Sequence, residues 1–117
     1  MLRMTGAVLA AGLALAAPAM AADAPAEIRI GTLYASSGRY ASISMPVFSA
    51  LKLWADQKNA EGGAYVKAFD KKIPIKLVAY DDQSNTATAS TLYNQLITQD
   101  KVDLLVADSG SDRKSVV

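Results

Sequence analysis

The stretch IPIKLVAYDDQSNTATASTLYNQLITQDKVDLLVA, residues 73–107, decides the fold. Residues 73 to 80 form an apolar run of strand length behind the polar turn Asp70-Lys71-Lys72. Pro74 has no amide hydrogen to give a ladder and therefore belongs at the start of that strand. The segment DDQSNTA interrupts the run, after which Ala89, Leu92, Tyr93, Leu96 and Ile97 recur at i, i+3, i+4, i+7 and i+8. That spacing places all five on one face of a helix. Gln99-Asp100-Lys101 closes it, and residues 102 to 107 (VDLLVA), apolar apart from Asp103, read as a third strand of the kind expected in a parallel sheet covered on both faces. A strand, a helix and a strand in this compass form a right-handed crossover between parallel strands.

Upstream, residues 28 to 34 (IRIGTLY) read as another strand, and ASSGRYAS after them carries loop chemistry in Ser36, Ser37 and Gly38. Pro46 suits a first helical position, and Val47, Ala50, Leu51, Trp54 and Ala55 repeat at helical spacing as an expected buried stripe. The helix should end near Asn59 to Gly62, where Gly62-Gly63 can adopt the left-handed conformation of a C-cap. The predicted order is β-α-β-α-β, an α/β chain with a parallel sheet.

Residues 1–21 stand apart from the fold. Arg3, the small apolar run from Thr5 to Ala17, the helix breaker Pro18 and the small-x-small triplet Ala19-Met20-Ala21 form the three parts of a secretory signal, with cleavage expected after Ala21. Its removal takes one of the 12 basic residues and none of the 11 acidic ones, so residues 22–117 carry a net charge of 11 − 11 = 0. Without clustered Lys and Arg there is no counterion-releasing surface, and nucleic acid is not an expected partner. The chain has no cysteine and no histidine, which removes thiol nucleophiles, the usual zinc ligands and imidazole acid–base catalysis. No metal and no cofactor are expected.

In a parallel sheet the loops leaving the carboxyl ends of the strands gather at one edge, here residues 35 to 44, 81 to 85 and 108 to 111. They hold Ser36, Ser37, Gly38, Ser42, Ser44, Asp81, Asp82, Ser84, Asn85, Asp108, Ser109, Gly110 and Ser111. Such small hydrogen-bonding residues occupy the position where open α/β sheets bind ligands, although serine and glycine after a strand are also ordinary turn and cap residues. Asp81-Asp82 read as capping the next helix and holding the loop, and Trp54 reads as core. Tyr40 offers an aromatic face and a hydroxyl from a polar loop.

The succession IRIGTLYASSGRYAS, a helix ending NAEGGAY, then IPIKLVAYDDQSNTATAS and QDKVDLLVADSGS resembles the opening of the periplasmic substrate-binding proteins of branched-chain amino acid transporters. These are the leucine/isoleucine/valine-binding type, also called type I periplasmic binding proteins, and the likeness covers residues 27 to 111. It implies half of a clamp in which two α/β lobes close on a small ligand, often an amino acid. The clamp delivers that ligand in the periplasm to an inner-membrane ABC permease. It further implies ligand contacts from the first loop, residues 37 to 43, with Ser37, Gly38, Tyr40 and Ile43, and from the serine-rich loop at Ser109, Gly110 and Ser111. Asp82 joins this set. Members often carry proline after the glycine of the first loop, where this chain has Arg39. Ile43 lies near the place where leucine-binding members put an aromatic contact.

Residues 22–117 are thus expected to form a partial N-terminal lobe, with an atypical tail at 112–117 (DRKSVV) where the family continues into another helix. The expected function is solute binding for an importer of branched-chain or related amino acids or similar small polar solutes, and no enzyme activity. Two alternatives carry different expectations. An extracellular sensor module would be followed by a transmembrane segment. A secreted serine hydrolase would use Ser109 or Ser111 with Asp81 or Asp108, yet it lacks a histidine base and a G-x-S-x-G elbow.

Overall fold

The computed structural model describes residues 23–108. The expected signal segment and the tail lie outside the described residues. Along the chain run β1 (Ile28–Tyr34), α1 (Ala41–Ala60), β2 (Ala64–Val66), a 3₁₀ turn (Lys67–Phe69), β3 (Lys71–Ile73), β4 (Ile75–Asp81), α2 (Thr86–Thr98) and β5 (Leu104–Val106). The main sheet has the order β4-β1-β5, and both pairings of β1 are parallel. The β-α-β-α-β reading therefore holds, with β1 in the centre.

Successive side chains of a strand point to opposite faces, so β1 feeds two cores. Leu33 faces α2 and is fully buried with Ala89, Tyr93 and Leu96, flanked by Val78, Tyr80, Leu92, Val102 and Leu105. Ile30 faces α1 and packs with Ala55 and Ile75. Gly31 lies under the α2 layer, where a Cβ would stand 3.0–3.1 Å from Val102, Leu105 and Leu96. The periodic face read for α2 is the observed one: Ala89, Tyr93 and Leu96 are buried, Leu92 is half-buried and only Ile97 is open. Polar clips hold the outer strand in register. The Thr32 hydroxyl donates to the Val106 carbonyl at 2.8 Å, and the Arg29 N–H donates to the Asp103 carboxylate at 2.8 Å.

Three expectations about α1 and its surroundings need correction. The helix begins at Ala41, so Pro46 lies inside it and leaves the Ser42 carbonyl without its usual donor. The buried stripe is rotated from the one expected: Ser44 and Ala55 are buried and Phe48 and Leu51 half-buried, while Val47 and Trp54 are 40% exposed. Trp54 is therefore not core. The third correction is the antiparallel hairpin of β2 and β3, which claims Ile73 and leaves Pro74 as the break before β4. Gly63 permits this hairpin, since at φ 112° a Cβ there would lie 2.3 Å from the Ile73 carbonyl oxygen. The C-cap reading stands: the Gly63 N–H reaches back to the Lys58 carbonyl at 2.8 Å.

β5 is shorter than the run of 102 to 107 and unevenly covered on its α1 side, where Val106 packs against the Ile30 cluster. Leu105 packs under α2, whereas Leu104 on the α1 side is 56% exposed.

Candidate functional site

The order β4-β1-β5 has a defined switch point. From β1 the chain crosses over α1 to β4 on one side, and from β4 over α2 to β5 on the other. The connections leaving β1 and β4 thus pass over opposite faces of the sheet, and a crevice opens outside the carboxyl ends of β1 and β5, where ligands of open α/β sheets bind.

The first loop is fixed there by its neighbour. Asp81, the last residue of β4, accepts the Ser36 N–H at 3.1 Å, the Ser36 hydroxyl and the Gln83 N–H at 2.9 Å. Burial pushes the Asp81 carboxyl up, but these donors together outweigh it and hold the group below its ordinary value of 3.8. Ser84 completes the knot by donating to the Ser37 carbonyl at 2.6 Å and accepting the Tyr40 N–H at 3.1 Å. Gly38, with φ 81°, packs directly on Ser84.

A second link crosses the crevice itself. Ser44 is fully buried on the first turns of α1; its hydroxyl accepts the Ala35 N–H at 2.8 Å and donates to the Asp108 carboxylate beyond β5. One side chain therefore joins the end of β1, the start of α1 and the chain leaving β5. Among the described residues no group of three or more acidic side chains could hold a metal ion.

The candidate residues fall into three groups. Ser37, Gly38 and Tyr40 lie on the first loop, and Ile43, 56% exposed, follows on the first turn of α1. Arg39 stacks its guanidinium 4.5 Å from the centre of the Tyr40 ring and donates to the Tyr40 hydroxyl. Asp82 stands apart: it is fully buried, and its Oδ1 accepts the Ser84 N–H at 2.9 Å. The candidates Ser109, Gly110 and Ser111 lie outside the described residues. Capping of α2 is not the work of Asp81 or Asp82 but of Asn85, whose Oδ1 accepts the Thr88 N–H at 2.9 Å. The bridging role of Ser44 was missed; its signal is a hydroxyl at i−4 from Phe48 and i−7 from Leu51, on the inward stripe of an otherwise apolar helix turn.

The Asp81 knot gives a pH test. A lowered carboxyl contributes stability that is complete above the unfolded value and lost as pH falls through the folded one. Asp81→Asn should therefore lower the urea midpoint at about pH 6, and its gap to the parent should narrow as the pH falls below 3.8. An unchanged gap at the lower pH contradicts the assignment.

A family profile described as "Periplasmic binding protein" matches residues 27–117. Among solved structures the chain is similar to a branched-chain amino acid transporter substrate-binding protein from Streptococcus pneumoniae in complex with isoleucine. That pair shares 29% identity at a TM-score of 0.67, over 77% of this chain and 24% of that one. An ABC transporter substrate-binding protein from Sphaerobacter thermophilus matches at 27% identity and a TM-score of 0.63, over 78% of this chain and 22% of that one. A solute-binding protein from R. palustris in complex with benzoate matches at 26% identity and a TM-score of 0.60, over 77% and 23%. The chain spans about a quarter of the length of the structures it matches. The profile match over most of the chain, with a parallel sheet whose loops meet at one crevice, shows that this chain belongs to the periplasmic binding protein family, type I.

Proposed function

We propose that this chain supplies one rim of the ligand cleft of an extracytoplasmic solute-binding component of an ABC importer for branched-chain or related amino acids or similar small polar solutes. The observation that carries the reading is the pinned first loop beside the Ser44–Asp108 bridge, at the switch point of the sheet. Ligand contacts come from Ser37, Gly38, Tyr40 and Ile43, and from Ser109, Gly110 and Ser111 after β5. Asp82 supports the loop from inside. Two neighbours of known ligand hold isoleucine and benzoate, both of which present a carboxylate on an apolar body. An open rim of hydroxyls and amides beside Ile43 and Tyr40 suits that class. The partner is a permease of the inner membrane, the location the periplasm, and the chemistry non-covalent.

Taken by themselves, residues 22–117 offer one rim, without the second set of contacts and the water exclusion that domain closure brings. Affinity for isoleucine or benzoate should accordingly be weak, with Kd of about 1 mM or above. The test is an NMR titration of the ¹⁵N-labelled chain with isoleucine, leucine and benzoate, with glucose as control. Amide shifts confined to residues 35–44 and those following Val106 are expected with the carboxylates and not with glucose. Shifts elsewhere, or none, sink the reading.

A further inference from the structure

The ladder between β1 and β5 ends at the pair Thr32 and Val106, and the crevice opens beyond it. The Ile28 N–H donates to the Pro74 carbonyl and the Tyr34 carbonyl accepts the Asp82 N–H, so even-numbered residues of β1 turn their main-chain groups toward β4. Odd-numbered residues turn theirs toward β5, as the Asp103 N–H on the Arg29 carbonyl at 2.8 Å shows. Ala35 is the first odd residue past the end of β1, and its N–H is aimed at the chain leaving β5. Continuing the register by two residues sets Asp108 opposite Tyr34. The next rung of a parallel ladder would then run from the Ala35 N–H to the Asp108 main-chain carbonyl.

A side chain stands where that rung would be. The Ala35 N–H donates to the Ser44 hydroxyl at 2.8 Å, and the Ser44 hydroxyl donates onward to the Asp108 carboxylate. Two hydrogen bonds in series span about 5 Å where a single N–H···O bond spans about 3 Å, so the strand ends are tied together yet held about 2 Å wider than direct pairing would set them. Below the bridge the strands stay closed, because the Thr32 hydroxyl clips the Val106 carbonyl at 2.8 Å.

The setting of Ser44 fits no other task. It is fully buried, as is Ala35, and its own N–H is fixed on the Tyr40 carbonyl at 2.8 Å. Phe48, Leu51 and Ala55 continue its inward stripe with apolar side chains. Alanine would suit that stripe and the helix better, so the hydroxyl is accounted for by its two long-range bonds. Being buried, Ser44 touches no ligand. It acts through Ala35, where the first loop begins, and through Asp108, which Ser109 follows.

We propose that Ser44 is a positioning residue of the ligand rim: its hydroxyl, wedged in place of the next rung between β1 and β5, fixes the width of the crevice between the first loop and the chain after Asp108. The role rests on that crevice being the ligand site. Without the hydroxyl the buried Ala35 N–H loses its acceptor, and the one that the register offers instead is the Asp108 main-chain carbonyl, which closes the gap.

The test is an isoleucine titration of the ¹⁵N-labelled chain, read at the amides of residues 35–44. Ser44→Ala should raise Kd roughly threefold or more. Asp108→Ala removes the far end of the bridge and should raise Kd by as much, with the double variant no worse than either single one. Asp108→Asn keeps an oxygen for the Ser44 hydroxyl and should stay within about twofold of the parent. Leu51→Ala, on the same inward stripe but outside the bridge, loosens α1 and should leave Kd unchanged, which separates positioning from stability. Circular dichroism checks that each variant folds; if Ser44→Ala does not, the contrast between Asp108→Ala and Asp108→Asn decides. A Kd indifferent to Ser44→Ala and Asp108→Ala, or raised equally by Leu51→Ala, overturns the proposal and leaves the crevice standing as the ligand site. A parent chain whose amides ignore isoleucine overturns both.

Discussion

Leu33→Ala is expected to lower the unfolding free energy by about 3 kcal/mol. Leu33 is fully buried on the central strand, packed against Ala89, Tyr93 and Leu96 of α2, so truncation removes contacts from the larger core and leaves a cavity that a strand bonded on both sides cannot close. A chain of this size holds on the order of 5–10 kcal/mol in total, of which the loss is a large share. With a urea slope of roughly 1–2 kcal/mol per molar, the midpoint should fall by about 2 M. Leu104→Ala is the matched control: the same atoms are removed from a side chain that is 56% exposed, and the change should stay within about 0.5 kcal/mol. Equal losses at the two positions would mean that Leu104 is packed, contrary to its exposure.

The contrast between these leucines marks how far the sequence could be read. Strands β1 and β4 and helix α2 were legible because a single periodicity dominates each and tertiary contacts agree with it. Ala89, Tyr93 and Leu96 form the observed buried face of α2 as their spacing requires. In α1 two apolar stripes compete. Val47, Ala50 and Trp54 recur as regularly as the true inward set, and only the position of β4 and β1 beneath the helix selects Ser44, Phe48, Leu51 and Ala55. The start of α1 was obscured by Pro46, whose commonest place is a first turn but which here sits further in, on an exposed side. The β2–β3 hairpin has strands of three residues, too short for any period to declare itself.

The candidate site was legible as a place and less so as a set of roles. A parallel sheet dictates which loops converge, and composition marked those loops as polar. What composition cannot assign is which polar group faces a ligand and which faces another loop. Asp81, Asp82 and Ser84 are of the same chemical kind as Ser37, yet their partners lie within the protein and hold the first loop in place. Ser44 was hidden for the converse reason, as a polar residue inside a helix whose importance lies wholly in long-range partners at Ala35 and Asp108.

Gly38→Ala should be the most damaging single change in that rim, with a loss of about 2–3 kcal/mol from two separate causes. The first is conformational: at φ 81° a side chain meets its own backbone, whatever surrounds it. The second is a collision, since the new Cβ would stand 2.7 Å from the Ser84 Cβ and 3.2 Å from the Gln83 carbonyl oxygen. Ser84 cannot retreat cheaply, because its N–H is bonded to Asp82 and its hydroxyl serves both the Ser37 carbonyl and the Tyr40 N–H. The causes separate in a double-mutant cycle. Ser84→Gly alone loses the hydroxyl's two bonds, at about 1 kcal/mol each, but in combination with Gly38→Ala it also relieves the collision. The combined loss should therefore fall short of the sum of the single losses by about 1 kcal/mol or more. Urea denaturation of the four proteins measures this, and strict additivity would mean that the first loop does not rest on Ser84. The same cycle bears on ligand recognition: if the loop is held by Ser84, Gly38→Ala should shift the amide resonances of residues 35–44 while leaving those of α2 beyond its first turn in place.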